Sequence, residues 1–570
     1  MIAPFQKAGL ARYALAVAAG LLLAASFPQP GIASLAWIAP GLILFSGIGL
    51  SGGRALRLGY AAGLAHYLFS LRWLLFIPFP VGAVAGWLAL SAYLALYPAV
   101  WVWLCWRFYP VQIRSQPVPG SALRLVEVIV GTPFLQRTVW AFGCAVVWVA
   151  LEMVVARFLT GFPCNLLGAS QFQMLPVIQI ASIAGVYGVS FLVVWFSVSL
   201  VCAALSLVVR PAMQKLWLGD LLMPFLVLMG VVGFGIKRIG QPQPAGRTVS
   251  VALVQPSIPQ TLIWDSTENT NRFKQLLRLS ELALATKPDV LIWPEAAVPN
   301  MLRYEPDTYE AITNIVRSHH VWMILGADDA VPRPGLGVRK EFDFYNSGFL
   351  VSPEGELVTT YRKRKLVIFG EYVPFARWMP FLRYLTPIGG EFTPGDQPVS
   401  FSLPELNVKT SVLICFEDSF PYLSRECAEA DTDFLVNLTN DGWFGESSAQ
   451  WQHAASAVFR ALENGLPLVR CANNGLSCWV DSVGRMHEVY FPRTEDIYGV
   501  GFKTASIPLL PRGVKREPTF YHRHGDWLGW SCVGAALGML LSSFPRLVKK
   551  REPKQKPDTG VGTSPDKKNN

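Results

Sequence analysis

The chain has two textures. Up to about residue 237 apolar residues run almost without interruption, in stretches at about 9–27, 33–50, 56–77, 82–106, 138–157, 178–208 and 216–236, and one more follows at about 526–544. Each is long enough to cross roughly 30 Å of hydrocarbon as a helix, so the pattern predicts a membrane domain of about eight transmembrane helices. Between 240 and 523 the pattern changes. Short β-rich runs such as "TVSVALVQP", "PDVLIWPE", "VKTSVLICFE" and "DFLVNLTND" alternate with segments of helical period such as "TNRFKQLLRLSELALATK" and "QWQHAASAVFRALENG". That alternation predicts a layered α/β domain. The expected organisation is a membrane domain with seven helices over 1–239, a globular domain over 240–523, an eighth helix over 524–545 and a basic disordered tail over 546–570.

Composition agrees: 52% of residues are hydrophobic and only 15% charged, which excludes an ordinary soluble protein. The formal net charge of +10 raises a nucleic-acid reading. Lys and Arg are scattered through short connections and the tail "RLVKKREPKQKPDTGVGTSPDKKNN", with no nucleic-acid-binding motif, so a solvated tail beside anionic lipid is the better account. Their distribution also orients the spans. Lys7, Arg12, Arg54, Arg57, the run from Arg107 to Arg137, Arg210 and Lys215 fall on alternate connections. Those connections, and both termini, are expected in the cytoplasm, with the globular domain outside. A cleaved signal peptide at the start is the rival reading, but removing that span breaks the alternation. Within the fifth span Glu152 and Arg157 lie about 140° apart around a helix, so each needs a separate partner.

Among nine cysteines there is no CxxC pair or Cys/His ligand spacing, and no metal or cofactor is expected. Whether Cys427, Cys471 and Cys478 pair in an oxidising exterior stays open. Polar reactive residues instead stand where apolar strands stop: Glu295 in "LIWPEAAVP", Lys363 and Glu371 in "YRKRKLVIFGEYVPF", and Cys415 with Glu417 in "SVLICFEDSF". A thiol with a reference pKa near 8.5 needs a base or a nearby cation to act as a nucleophile at neutral pH. Histidine is the usual partner, but His66 sits in a span, His319 and His320 in a polar segment, and His453 on a helical pattern. A carboxylate and a lysine can replace it, the first taking the thiol proton and the second stabilising thiolate and oxyanion.

The ordered set Glu295, Lys363, Cys415, with "WPE", "YRKRKL…FGE" and "CFE", resembles the nitrilase superfamily. The resemblance implies an αββα sandwich and a Glu-Lys-Cys triad. With the flanking spans and the matches "GFPCNLLG", "AGVYGVSF", "VQPSIPQTLIWD", "FYNSG", "NLTNDGWFG" and "FRALENGLPLVRCANNGLS", some 500 residues resemble the bacterial apolipoprotein N-acyltransferases. That implies a ping-pong acyl transfer in the bacterial inner membrane. An acyl chain passes from a phospholipid, typically phosphatidylethanolamine, to Cys415 as a thioester. It then moves to the α-amino group of a diacylglyceryl-cysteine apolipoprotein, the last step of lipoprotein maturation. Glu295 is then general base, Lys363 oxyanion stabiliser, and Glu371 and Glu417 supporting carboxylates. Trp264, Asn346, Phe416, Trp443 and Phe444 are expected around the substrate. Ile368, Cys164 and Phe416 depart from the family's usual residues, and none of these departures removes the triad. The alternatives are a membrane-tethered amidase, which shares the triad, and a non-catalytic scaffold, which has no use for it.

Overall fold

The computed structural model describes residues 3–50, 52–110, 129–209, 214–241, 246–333, 342–376, 378–386 and 390–543. The basic tail, Arg210 and most of the basic connection after Arg107 lie outside the described residues. Every predicted apolar stretch contains helix. Four helical stretches among the described residues are long and apolar enough to cross a membrane, at Pro80–Arg107, Phe134–Val155, Ala181–Val209 and Trp217–Ile239. The helices Ala3–Ala25, Gly53–Ser70 and Trp527–Ser543 cover three further stretches. The stretch expected at 33–50 differs from a single span: it divides into a 3-10 turn, Ala33–Trp37, and an eight-residue helix, Ala39–Ser46. Pro40 in the first turn and Gly47 at the end punctuate it, which apolarity alone does not reveal. Deep among the helices, Arg137 donates to both oxygens of Asp220 at 2.9 and 2.8 Å, with neither side chain reaching solvent.

Among the described residues the globular part is a sandwich of two six-stranded sheets. The first sheet contains β1 (Arg247–Gln255), β2 (Val290–Ile292), β3 (Trp322–Pro332), β4 (Phe342–Val351), β5 (Leu357–Arg362) and β12 (Gly501–Leu509), in the order β12-β1-β2-β3-β4-β5. The second contains β6 (Ser400–Leu403), β7 (Val408–Ile414), β8 (Phe434–Thr439), β9 (Leu468–Ala472), β10 (Cys478–Val480) and β11 (Met486–His487), in the order β11-β10-β9-β8-β7-β6. Each sheet has a parallel centre with antiparallel edges: β1, β2 and β3 run together, as do β7, β8 and β9. Period-two alternation divides the side chains. Val249, Val251 and Leu253 meet Val412, Ile414 and Leu438 between the sheets, while Ala252 and Val254 face the helices Asn269–Leu284 and Pro306–His319. On the second sheet's outer face Leu413, Leu435 and Leu468 pack under the helix Ala449–Asn464. The result is an αββα arrangement.

Fourteen of the sixteen residues of Ala449–Asn464 are buried, so this helix must be covered on its far side as well. Membrane segments cover it. Gln452 accepts from Trp73 Nε1 at 3.0 Å and donates to the carbonyls of Pro28 and Ser70 at 2.8 and 3.1 Å. Glu463 accepts from the amide of Val186 at 2.9 Å. That amide is free to reach it because the helix Ala181–Val209 is interrupted at Gly185, whose φ of +65° no side chain adopts cheaply and whose Cβ would lie 2.7 Å from the Tyr521 ring. The two ionisable residues of the fifth span find separate partners, as their angular offset requires. Glu152 accepts from Trp148 Nε1 at 2.9 Å and the Leu167 amide at 2.8 Å. Arg157 pairs with Asp526 at the start of the last helix, with Tyr422 and Trp530 rings 5.6 and 5.3 Å from the guanidinium. All nine cysteines are free thiols, with Cys427, Cys471 and Cys478 buried apart from solvent.

Candidate active site

The parallel strands of both sheets end at one place. Ile292 of β2 is in register with Leu253 and Ile324, and three residues later comes Glu295; Ile414 of β7 is in register with Leu438, and the next residue is Cys415. The Glu295 turn lies directly on Gly326 of β3, where a Cβ would come within 2.4 Å of the Pro294 carbonyl, so only glycine lets the turn approach. Lys363 follows β5 immediately. Its Nζ donates to Glu295 Oε1 at 3.0 Å and Glu371 Oε1 at 2.8 Å, and the side chain is 1% exposed. Burial works against its charge, but Glu295 and then Glu371 outweigh it and hold the ammonium well above the ordinary lysine range.

Each carboxylate is fixed from a second direction. Asn346 of β4 bridges them, its Nδ2 lying 2.8 Å from Oε1 of both. Glu295 Oε2 accepts from the Asn440 amide at 2.9 Å, and Glu371 Oε2 from the Val367 amide at 2.8 Å. Glu417 makes a different kind of bond. It is fully buried and accepts from the amides of Arg364 and Lys365 at 2.7 and 3.0 Å, from Tyr361 Oη at 2.9 Å and from the Ile414 amide at 2.8 Å. It therefore ties the lysine loop to the cysteine turn through backbone and is shut off from any substrate.

Cys415 has φ of +53°, a left-handed conformation that is strained for a side-chain-bearing residue and turns the thiol sharply off its strand. Burial and then Glu295 push the thiol up, while Lys363 pulls it down, leaving it well above its ordinary value. A thiol of this kind stays protonated until a base removes the proton. The arrangement of thiol, carboxylate and ammonium can support nucleophilic acyl chemistry, and part of its surroundings comes from the apolar N-terminal half of the chain. Phe444 packs edge-on against Trp73 at 4.6 Å between ring centroids, and the Cys164 thiol lies 3.8 Å from Ser419 Oγ in the turn that carries Cys415.

Residues 19–199 match the family model described as the apolipoprotein N-acyltransferase N-terminal domain, and residues 250–498 match carbon-nitrogen hydrolase. The apolipoprotein N-acyltransferase of Geobacter metallireducens is 35% identical over 94% of this chain and 95% of its own. The chain belongs to the apolipoprotein N-acyltransferase family. The member from Allorhizobium ampelinum is 29% identical over 88% of this chain and 92% of its own, and that from Rickettsia prowazekii 30% identical over 76% and 80%. A solved amidase from Nesterenkonia sp. AN1 is 16% identical, with a TM-score of 0.33 over 47% of this chain and 94% of its own.

Against that family background, the structure gathers Glu295, Lys363, Glu371, Asn346 and Cys415 into one group. Phe416 lies beside it, its ring 5.8 Å from Lys363 Nζ. Trp264 and Trp443 pack edge-to-face at 5.3 Å and stay partly open to solvent, whereas Phe444 is turned to the membrane segment. Two features escaped the sequence reading. Asp328 on β3 stands opposite Asn346, and burial, then Glu371 and Glu295, push its carboxyl to about 7. Behind Cys415 lies an ion cluster of His453, Asp418, Asp441 and Arg470. The sequence signal was Arg470 itself, a charge in the middle of the apolar strand "LVRCA", which has to find partners.

Proposed function

We propose that Cys415 takes an acyl chain from a membrane phospholipid, typically phosphatidylethanolamine, and passes it to the α-amino group of a diacylglyceryl-cysteine apolipoprotein. Glu295 removes the thiol proton as Sγ attacks the ester carbonyl. Lys363 donates to the developing oxyanion, the lysophospholipid leaves as its alcohol with that proton, and a thioester remains. The acceptor amine then attacks the thioester carbonyl, Glu295 takes the amine proton, and Cys415 leaves as the thiol. Glu371 and Asn346 orient Lys363 and Glu295, and Glu417 fixes the loop that carries the lysine.

The observation that carries this reading is the contact of the nucleophile's turn with the membrane part, through Cys164 and Ser419, beside the Phe444–Trp73 pair. Both proposed substrates are lipids, and each methylene drawn into water costs roughly 0.8 kcal/mol, so a reactive thiol has to stand at the bilayer surface. Trp264, Phe416 and Trp443 offer apolar surface for the acyl chain there. The charge distribution supports eight crossings of the bacterial inner membrane, with both termini cytoplasmic and the domain of residues 240–523 on the periplasmic side.

The test is to incubate the purified chain with phosphatidylethanolamine alone and to follow intact mass. The expected result is one acyl adduct, mapped to Cys415, absent in Cys415→Ala, and discharged by a diacylglyceryl-cysteine peptide. Discharge by water alone favours the amidase-like alternative, and normal transfer by Cys415→Ala refutes the assignment.

A further inference from the structure

His453 projects from the buried helix Ala449–Asn464 to the rear of the nucleophile's turn. Its Nε2 is 3.2 Å from the Cys415 carbonyl and 2.8 Å from Asp418 Oδ1, both of which can only accept. Its Nδ1 is 2.8 Å from Asp441 Oδ1. Arg470 Nη1 donates to Asp418 at 2.9 Å and its Nη2 to Asp441 at 2.7 Å, closing a ring of two carboxylates and two cations. Asn437, held by Arg470 at 3.1 Å, donates to the same Cys415 carbonyl at 2.8 Å. Arg470 Nη2 also lies 2.8 Å from His453 Nδ1 and opposes a charge there, but two carboxylates at equal distance outweigh one guanidinium.

We infer that His453 is a positioning residue carried as an imidazolium, which grips the Cys415 carbonyl from behind and balances Asp418 and Asp441 so that their charges do not resist the thiolate. The inference rests on Cys415 being the nucleophile. Two observations meet in it. The strained φ of +53° at Cys415 needs an external hold, and the carbonyl of that residue receives two donors, His453 and Asn437. The Asp441 charge also acts on the thiol, in the direction that keeps it protonated. With His453 charged the ring is neutral; without that proton it carries one negative charge behind the sulfur.

The groups facing His453 are Cys415 and Asp418 from the turn after β7, Asp441 from the turn after β8, and Arg470 from β9. Cys478 of β10 adjoins Arg470 and both aspartates, and Glu295 and Lys363 act through Cys415. Burial and Arg470 push His453 down, but Asp418 and Asp441 raise it to about 9, so it is charged throughout the neutral range.

The test measures iodoacetamide labelling of Cys415, by peptide mass, against pH in the full chain, with Cys415→Ala as the blank. In His453→Gln the labelling midpoint should move up by roughly one pH unit, the effect of one uncompensated charge at short range. Adding Asp441→Asn restores neutrality and should bring the midpoint back towards wild type. A merely structural histidine would lower labelling without this rise and return. An unmoved midpoint in the single variant, or no return in the double, overturns the inference. Nitrogen-15 spectra of histidine-labelled wild type need no variant to fold: both ring nitrogens of His453 should be protonated at pH 7, and a neutral tautomer overturns the inference. Labelling requires no lipid, so failure of the phospholipid reading would leave these results unchanged.

Discussion

Replacing Lys363 by methionine removes the ammonium held between Glu295 and Glu371. At an effective dielectric near 20, contacts of 3.0 and 2.8 Å are each worth roughly 5–6 kcal/mol before desolvation is subtracted. Methionine matches the shape, and a side chain 1% exposed gives water no room to take over. Two carboxylates would then share only the Asn346 amide, and Glu295 would be driven from its position. Losing a single oxyanion donor costs about 10² to 10³ in rate. Misplacing the base adds to that, so acyl-adduct formation on Cys415 should fall roughly 10³- to 10⁵-fold. The assay is single-turnover mass spectrometry with phosphatidylethanolamine in excess. An adduct forming within tenfold of the wild-type rate would refute the role of Lys363 and the electrostatic reasoning with it.

Glu295→Gln places an amide where Oε2 now accepts from Asn440 and removes the base, so adduct formation should slow by roughly 10² to 10⁴; wild-type single-turnover kinetics would refute it. Asp220→Asn leaves Arg137 without its charge partner in the helical core and should destabilise by roughly 3–5 kcal/mol, read as a lower unfolding temperature in detergent. A double change of Arg137 and Asp220 to apolar residues should recover much of that loss, and a single variant as stable as wild type would sink the idea. Asp328 holds its proton to about 7 when folded but only to about 3.9 in an unfolded chain. Between those values the folded state binds more protons, so its contribution to stability is fully present at low pH and is lost as pH rises to 7. Melting of Asp328→Asn should therefore fall less steeply over that window, and identical slopes for variant and wild type would refute the shift.

Glu295 and Cys415 were legible because each follows a buried apolar strand, whereas Lys363, after the mixed strand "LVTTYR", stood out only through its place in the ordered Glu-Lys-Cys motif set. Alternation and helical period differ, so the layered α/β class was legible from the pattern, while the αββα order of the layers was only implied by the resemblance. His453 was not. A helix buried on both sides carries no polar face to reveal which residue points inward, and its sequence neighbours gave no reason to link it to a turn 38 residues away. Asp328 in "GADDAVP" carries no mark in the sequence, because its meaning depends on the register of β3 with β4. Glu417 could be found but its partners could not, because its four donors come from strand β5, the loop after it and the end of strand β7. The break in the stretch 33–50 escaped because apolarity records what a segment dissolves in and says little about how long it stays straight.

The helix Ala449–Asn464 belongs to two bodies at once. It is the outer layer of the sandwich and, through Gln452 and Glu463, part of the packing of the membrane bundle. As a rod it carries His453 and Glu463 ten residues apart, roughly 15 Å along its axis. A soluble version of the domain cut at its borders would uncover this rod's apolar flank. Val186, just past Gly185, is bonded to one end of the same rod whose other end reaches the Cys415 carbonyl through His453. Chemistry and bilayer thus share a single mechanical part, and neither can be redesigned alone.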